Sequence, residues 1–392
     1  MTPFPEFVHV RLKAVSAVVP RDEVRLEDEA AYYGNDLRRV ERIKKMAGLD
    51  RRRIAPEGVT VSDLCVQAAE RLLTETATDR AGIDAVVCVT QSGDYPMPAS
   101  AFVQQERLGL ATDCAAFDVN LGCSGYIYGL WLAACMIEAR ARQRVLLLVG
   151  EAYLGSINPA NRIIAPVFGD AGTASLLEYA DEAAPLSFSL GSDGSGHEAL
   201  IRPGGGGRIP HLPGAPEEDG YLALVRDAGG NPWSVGGYGN TWMDSAAVFD
   251  FTMSVVPEHI RGHLARRGLA PADLDFLILH QANKQIVQNL AAATGFTPEQ
   301  TPWETLTRYG NQAGASIPSA ICDRLKGRCD ARQRLHLMLC GFGIGLSWGS
   351  CLGDFTGLHC CGVHDFIPPA ATPSRSERIA YWHSKFAGEH DG

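Results

Sequence analysis

Residues 115–138, AAFDVNLGCSGYIYGLWLAACMIE, decide the fold of this chain. A short apolar strand at 116–119 leads into a glycine-flanked turn at Cys123, and an apolar helix at 124–140 follows at once. The uncharged run 119–137 has 19 residues, near the length of a membrane span. Because Asn120 and several glycines interrupt it, we interpret it as a strand, a turn and a buried helix.

Strands and helices alternate on both sides of this stretch. Apolar runs that predict buried strands lie at 85–90, 144–150, 172–178, 276–279, 335–340 and 346–353. Helices are predicted at 99–108, 283–293 and 317–325. This alternation is typical of crossover units in a layered α/β fold.

The two halves of the chain repeat one scheme, since Cys123 and His280 each follow a predicted strand where a helix starts. We predict an N-terminal half at 1–182 that carries the cysteine and a C-terminal half at 183–392. A glycine-rich insertion at about 191–240 and a tail at about 365–392, with a short helix near 376–386, belong to the second half.

Composition excludes several classes of protein. The net charge of −10 disfavours general nucleic-acid binding. The first residues lack a basic segment followed by an apolar run, so we expect no signal peptide, no membrane span and a soluble, cytoplasmic protein. Eleven cysteines are an odd number without a disulfide framework, and we expect reduced thiols.

Cys123 is the first candidate for chemistry. A thiol at a helix N-terminus lies near the positive end of the helix dipole, which predicts a lowered pKa and a nucleophilic thiolate. Gly122 and Gly125 allow a sharp turn and close approach of a substrate. The alternative is an inert buried cysteine, the commonest state of this residue type.

Three further motifs follow strands or turns of the second half. His280 begins the polar group HQAN after a strand, where α/β sheets bind ligands, or is a buried core histidine. Asn283 is a candidate N-cap. Asn311 lies in YGNQAGA and, taken alone, indicates a Gly-Asn turn. The glycines of 341–345, GFGIG, expose backbone N–H groups that suit an oxyanion hole, and their spacing differs from a dinucleotide fingerprint.

In order and context these motifs resemble the β-ketoacyl-ACP synthase III family of the thiolase superfamily. The resemblance covers about residues 8–356 and rests on FDVNLGCSGYIYGL, NRIIAPVFGDAGTASLL, GSDGSG, LHQANKQI, YGNQAGASIPSA and GFGIGLSWGS. It implies a thiolase-like layered α-β-α-β-α fold, built from two pseudo-duplicated halves, and a homodimer.

The resemblance also implies an acyltransferase that performs a decarboxylative Claisen condensation. Cys123 would accept an acyl group from acyl-CoA or acyl-ACP, and malonyl-ACP would then yield a 3-oxoacyl product in fatty-acid or specialised lipid metabolism. His280 and Asn311 would donate to the malonyl thioester oxygen, with Asn283 near His280. The backbone N–H groups of Cys123 and Gly345 would form the oxyanion hole. Acyl carrier protein would be a partner, and no cofactor is expected beyond the thioester carriers.

Substrate-binding positions depart in part from the family pattern. Arg42 falls where the family has a tryptophan that stacks on the adenine of coenzyme A, and Arg162 matches its adenine-side arginine. Met97 replaces an aromatic residue that narrows the acyl pocket across the dimer, which favours a longer or unusual acyl chain. The run 38–53 has eight basic and two acidic residues; it could bind coenzyme A phosphates or an acidic carrier helix, or be a solvated helix face.

Two alternative functions and one alternative site remain open. Acyl-Cys123 could pass its acyl group to a hydroxyl or amine without condensation, or the chain could be a non-catalytic subunit of a heterodimer. The intact His280–Asn311 pair favours condensation over acyl transfer, which needs no enolate site, and retention of all three polar groups argues against a non-catalytic subunit. His359, Cys360, Cys361 and His364 lie close in sequence, but their spacing is not a standard zinc pattern, and we expect no metal.

Overall fold

The computed structural model describes residues 6–153, 157–210, 220–227, 229–230, 232–326, 334–369 and 373–388. Its strands are β1 Glu6–Phe7, β2 Val10–Val19, β3 Glu23–Arg25, β4 Arg51–Arg53, β5 Ala85–Val89, β6 Ala115–Val119, β7 Arg144–Glu151, β8 Ala171–Tyr179, β9 Leu186–Ser192, β10 Leu200–Ile201, β11 Ala223–Arg226, β12 Pro232–Gly236, β13 Trp242–Met243, β14 Phe276–Leu279, β15 His336–Gly343, β16 Ser347–Asp354 and β17 His359–Asp365. Its helices are α1 Leu37–Ala47, α2 Val61–Glu75, α3 Ser100–Arg107, α4 Gly125–Glu138, α5 Ser245–Arg266, α6 Lys284–Thr294, α7 Glu304–Tyr309, α8 Ser316–Leu325 and α9 Arg375–Gly388.

Two mixed sheets form the frame of the molecule. The first has six strands in the order β17-β2-β8-β7-β5-β6, and β7, β5 and β6 run parallel. The second has five strands in the order β1-β9-β16-β15-β14, with β14 and β15 parallel. Both sheets therefore end on a parallel edge strand, β6 in one and β14 in the other. Cys123 and His280 follow these two strands.

Five layers result from the way the helices cover the sheets. One core contains residues of both sheets together with α4 and α8, which lie between them. A second core packs α2 against the outer face of the six-stranded sheet, and a third packs α5 and α6 against the five-stranded sheet. Strands buried on both faces explain the continuous apolar runs in the sequence. The predicted α-β-α-β-α order is confirmed.

Alternate residues of β7 show how one strand serves two layers. Val145 and Leu147 belong to the core between the sheets, and Leu146 and Leu148 belong to the core under α2. Side chains that alternate across a strand need apolar residues at every position when both faces are covered. Strand β6 differs, because each of its residues is half-buried at the sheet edge.

The predicted strands and helices are found close to their expected limits, with several additions. The sequence analysis left β2, β9, β17, α2 and α5 unassigned. The predicted tail helix is α9, and the glycine-rich insertion contains the small antiparallel pair β11–β12. The division of the chain near residue 182 stays a prediction. Strand β17 joins the six-stranded sheet and β1 joins the five-stranded sheet, so each sheet takes one strand from the opposite end of the chain.

Two properties expected from composition have structural counterparts. None of the helices in the described ranges is long and apolar enough to cross a membrane. Ten of the eleven cysteines are described, and all ten are free thiols; Cys329 lies outside the described residues.

Candidate active site

Cys123 lies in the turn between β6 and α4, as the sequence predicted. The Gly125 N–H donates to the Gly122 carbonyl at 2.8 Å, which closes the turn just before α4 begins. The Ser124 hydroxyl lies 2.7 Å from the Ser347 hydroxyl, and Ser347 donates to the Ile344 carbonyl at 2.6 Å. These bonds attach the cysteine turn to the glycine-rich turn between β15 and β16.

The expectation of a lowered pKa for Cys123 is wrong for the unliganded chain. Burial raises the pKa of this thiol to about 11, while hydrogen bonds from the backbone of Ile344 and of Cys123 itself oppose that effect only in part. The thiol is 5 % exposed, so desolvation of the thiolate outweighs its position before a helix. A thiolate at neutral pH therefore requires a proton acceptor when the substrate arrives.

His280 follows β14 and is buried and neutral. Its Nδ1 lies 2.7 Å from the Ser316 hydroxyl, and that hydroxyl donates to the Ala313 carbonyl at 2.8 Å. Burial lowers the pKa of His280 to about 4. Because the Ser316 proton is already donated, Nδ1 carries the imidazole proton and the lone pair lies at Nε2. His280 is thus oriented as a proton acceptor.

Asn311 is held close to the segment that carries His280. Its Nδ2 donates to the Ala282 carbonyl at 3.4 Å, and its Oδ1 accepts from the Ala313 N–H at 2.9 Å. Asn283 accepts from the Ile286 N–H at 2.8 Å and caps α6, so the predicted helix cap is confirmed. Ala313 therefore takes part in positioning both residues: its carbonyl accepts from Ser316, the partner of His280, and its N–H donates to Asn311.

The glycine motif brings strand β15 against the cysteine. A Cβ at Gly343 would lie 2.7 Å from the Cys123 Cβ and 3.0 Å from its Sγ, and the backbone φ of +153° is also unfavourable for other residues. The Phe342 and His280 rings pack edge to face, with their centres 5.5 Å apart. Two neighbouring residues of β15 thus contact Cys123 and His280, so both predicted catalytic side chains pack beside the same strand.

A cavity of about 1020 Å³ opens over the cysteine. Both Cys123 and Gly345, the two predicted oxyanion-hole residues, line it. Much of its remaining wall comes from the segment 90–96 after β5, from apolar residues around Phe168, and from residues 197–206 of the insertion. Neither His280 nor Asn311 contributes to the wall of this cavity.

The predicted substrate-binding residues lie apart from this cavity wall. Arg162 is half-buried with its guanidinium 5.9 Å from the centre of the Tyr33 ring, and burial lowers its pKa. Arg42 is exposed on α1. Met97 is 82 % exposed in the loop between β5 and α3. Their assignment to substrate binding stays a prediction.

Half of the basic run 38–53 is neutralised within the chain. Arg52 is buried and donates to both carboxylate oxygens of Glu29 at 2.7 and 2.8 Å. Lys44, Arg51 and Arg53 also form ion pairs. The remaining basic residues, Arg38, Arg39, Arg42 and Lys45, lie on α1, so the basic surface is smaller than the sequence indicated.

Glu151 is a buried residue that the sequence analysis missed. Its carboxylate accepts from the Gln91 N–H at 3.0 Å and from the Ser92 hydroxyl at 2.7 Å, which holds the cavity segment 90–96. Burial raises the pKa of Glu151 to about 7, although these bonds oppose the effect. The sequence did offer one signal for this residue, because an acidic side chain at the end of the mainly apolar run RVLLLVGE indicates a buried carboxylate that needs partners.

Comparison with known proteins identifies the family. Residues 117–194 match the family "3-Oxoacyl-[acyl-carrier-protein (ACP)] synthase III", and residues 264–355 match its C-terminal counterpart. The chain is 34 % identical over 311 residues to β-ketoacyl-[acyl-carrier-protein] synthase III 3 of Streptomyces coelicolor, covering 79 % of this chain and 87 % of that protein. The chain belongs to the 3-oxoacyl-[acyl-carrier-protein] synthase III family.

Solved structures agree with this membership. The 3-oxoacyl-(acyl-carrier protein) synthase of Burkholderia xenovorans superposes with a TM-score of 0.82 at 34 % identity, over 93 % of this chain and 100 % of that one. The priming β-ketosynthase of the R1128 polyketide pathway gives 0.73 at 26 %, over 89 % and 97 %. The protein is therefore a condensing enzyme of the acyltransferase class with the thiolase-like fold that the sequence predicted.

Proposed function

We propose that this member of the 3-oxoacyl-ACP synthase III family joins an acyl group to malonyl-ACP through an acyl-Cys123 intermediate. The observation that carries the proposal is that β15 contacts both Cys123 and the ring of His280, through Gly343 and Phe342. Strand β15 thus holds a nucleophile and a base, which lie on different segments of the chain, beside each other, and covalent acyl transfer needs such a pair.

In the acylation step, His280 accepts the Cys123 proton. The Cys123 sulfur forms a bond to the acyl carbon, and the bond from that carbon to the donor's sulfur breaks. The proton moves to Nε2 of His280, where the lone pair lies, and the departing thiolate takes a proton from solvent. The raised pKa of Cys123 makes this transfer necessary, and the Ser316 hydroxyl keeps the imidazole in the required tautomer.

In the condensation step, His280 and Asn311 stabilise an enolate. The bond between the malonyl methylene carbon and its carboxylate breaks, CO₂ leaves, and the thioester oxygen takes up negative charge. Nε2–H of His280 and Nδ2–H of Asn311 donate to that oxygen. The methylene carbon then bonds to the acyl carbon, the Cys123 thioester breaks, and Nε2 returns its proton to the thiolate. Acylation and condensation together consume one solvent proton, the one that the departing donor thiolate takes up.

The oxyanion of each tetrahedral intermediate is assigned to the backbone N–H groups of Cys123 and Gly345. Both residues line the same cavity, and the Ser124–Ser347 bond fixes their two turns relative to each other. Loss of one donor from such a hole typically costs about 3 kcal/mol of transition-state stabilisation. The acyl chain would occupy the cavity of about 1020 Å³, and an acyl carrier protein or coenzyme A would deliver it.

A two-step mass measurement tests this function. The purified chain is incubated with a panel of acyl-CoA and acyl-ACP donors, and peptide mass spectrometry locates the adduct. Malonyl-ACP is then added, and CO₂ release and 3-oxoacyl-ACP are measured. We expect the adduct on Cys123 and its disappearance with CO₂ release.

Two variants serve as controls for the adduct. Cys123→Ala should abolish it, and Cys135→Ala, which changes a half-buried thiol elsewhere on α4, should retain it. Absence of an adduct with every donor would contradict the proposed function. An adduct that an alcohol or amine removes without CO₂ release would instead establish acyl transfer to that acceptor.

A further inference from the structure

Three potential metal ligands of different chemistry meet where α2 ends beside the edge strand β17. Glu75 is the last residue of α2, and His359 and Cys361 belong to β17. The ligand atoms of these side chains all lie within 4.8 Å of one another. His359 Nε2 is 3.3 Å from Glu75 Oε2. The cluster lies outside the active-site cavity, and the condensation does not use it.

The course of β17 explains why these side chains converge. The register of β17 against β2 shifts between Cys360 and Val363, and Gly362 takes a φ of +93° within this bulge. Bulges in edge strands commonly re-aim side chains. Cys361 packs in the core under α2, whereas Cys360 packs in the core between the sheets, so the two adjacent thiols face opposite layers.

We propose that Glu75, His359 and Cys361 bind a zinc ion that ties the C-terminal end of α2 to β17. Thiolate, imidazole and carboxylate are the three ligand types that zinc takes in proteins. Tetrahedral coordination places neighbouring ligand atoms about 3.4–3.6 Å apart, so modest side-chain rotations suffice. A thiolate and a carboxylate supply two negative charges for a dication, and the fourth position is left to water.

Neighbouring groups are suited to support such ligands. Ser16 is fully buried on β2, and its hydroxyl has no hydrogen-bond partner within the described residues. The Arg71 guanidinium lies 3.5 Å from Glu75 Oε1, so the second carboxylate oxygen, Oε2, is the one that faces His359. Outer contacts of this kind orient ligands in metal sites. The sequence analysis expected no metal because the spacing of the histidines and cysteines at 359–364 is not a standard zinc pattern. It did not consider Glu75, which lies 284 residues before His359.

Cobalt titration tests the site independently of enzyme activity. The full chain is freed of metal with a chelator, kept reduced and titrated with Co²⁺, which reports a thiolate ligand by near-ultraviolet charge-transfer absorption. We expect one Co²⁺ per chain with this absorption, and its displacement by Zn²⁺. Failure to observe the absorption at stoichiometric Co²⁺ would overturn the proposal.

Four variants assign the signal to the cluster. Cys361→Ala should abolish the charge-transfer band. His359→Ala, at a side chain that is 48 % exposed and so tolerates truncation, should weaken Co²⁺ binding about tenfold or more while the fold is retained. Cys360→Ala and Cys123→Ala should keep the band. A band that survives Cys361→Ala, or one that Cys123→Ala removes, would place the metal elsewhere and refute the site.

Discussion

Two buried histidines, His280 and His263, share nearly every local property and differ in location. Burial lowers the pKa of His280 to about 4 and that of His263 to about 3. Each bonds to serine: His280 to Ser316, and His263 to Ser350 at 2.7 Å and Ser187 at 3.0 Å. Only His280 follows a strand end and contacts the β15 segment that touches Cys123.

The comparison shows that a perturbed pKa does not by itself identify a catalytic residue. His263 lies in the last turn of α5, where both ring nitrogens are paired with serines of the five-stranded sheet. His280 has one serine partner at Nδ1, which leaves Nε2 for chemistry. Two histidines with similar burial therefore have different roles: His263 stabilises packing and, in our proposal, His280 transfers a proton.

Matched substitutions should separate the two roles most strongly. His280→Asn is expected to lower kcat for condensation about 10²- to 10⁴-fold, because the proton acceptor is lost. His263→Asn is expected to leave kcat within about twofold and to lower the free energy of unfolding by about 1–3 kcal/mol, because buried serines lose a partner. Steady-state kinetics and denaturant unfolding on both variants check this. Equal kcat losses would contradict the assignment.

The next largest effect is expected at Gly343. In Gly343→Ala the new methyl would crowd the Cys123 sulfur at 3.0 Å in a backbone conformation with a φ of +153°. We expect acylation of Cys123 to slow at least about tenfold, since small displacements of reacting atoms are costly. Gly207→Ala is the matched control, because nothing lies within 4 Å of its Cβ and acylation should be unchanged. Normal acylation in Gly343→Ala would show that β15 does not constrain the nucleophile.

Sequence reasoning worked where periodicity or a glycine motif is local. The runs that became β5 and β14, and residues 145–149 of β7, are apolar at every position because both sheet faces are covered. It failed where long-range packing decides: β17 joins the sheet of β2 some 350 residues away in sequence, and Glu151 holds the segment after β5 through bonds that no local pattern reveals. The lowered pKa expected for Cys123 failed for the same reason, since burial is a property of the whole fold.

Acid should destabilise the enzyme through its neutral buried histidines. The pKa of His263 falls from 6.5 in the unfolded chain to about 3 in the folded chain, so its contribution is present above pH 6.5 and is lost as the pH falls. Between pH 7 and 4 this one group would account for about 3 kcal/mol. In His263→Asn, unfolding free energies measured across this range should decline less steeply than in the wild type. Parallel curves would show that His263 does not titrate on unfolding.

Glu151 should act in the opposite direction and with a smaller effect. Its pKa rises from 4.5 to about 7 on folding, so its stabilising contribution is complete below pH 4.5 and is lost as the pH rises through 7. Wild type thus gains about 2 kcal/mol from this group between pH 7 and 5, which partly offsets the histidines. Glu151→Gln removes the gain, and denaturant unfolding should show a steeper acid decline than in the wild type. A shallower decline would mean that the folded chain keeps Glu151 ionised, and that its bonds to Gln91 and Ser92 outweigh burial.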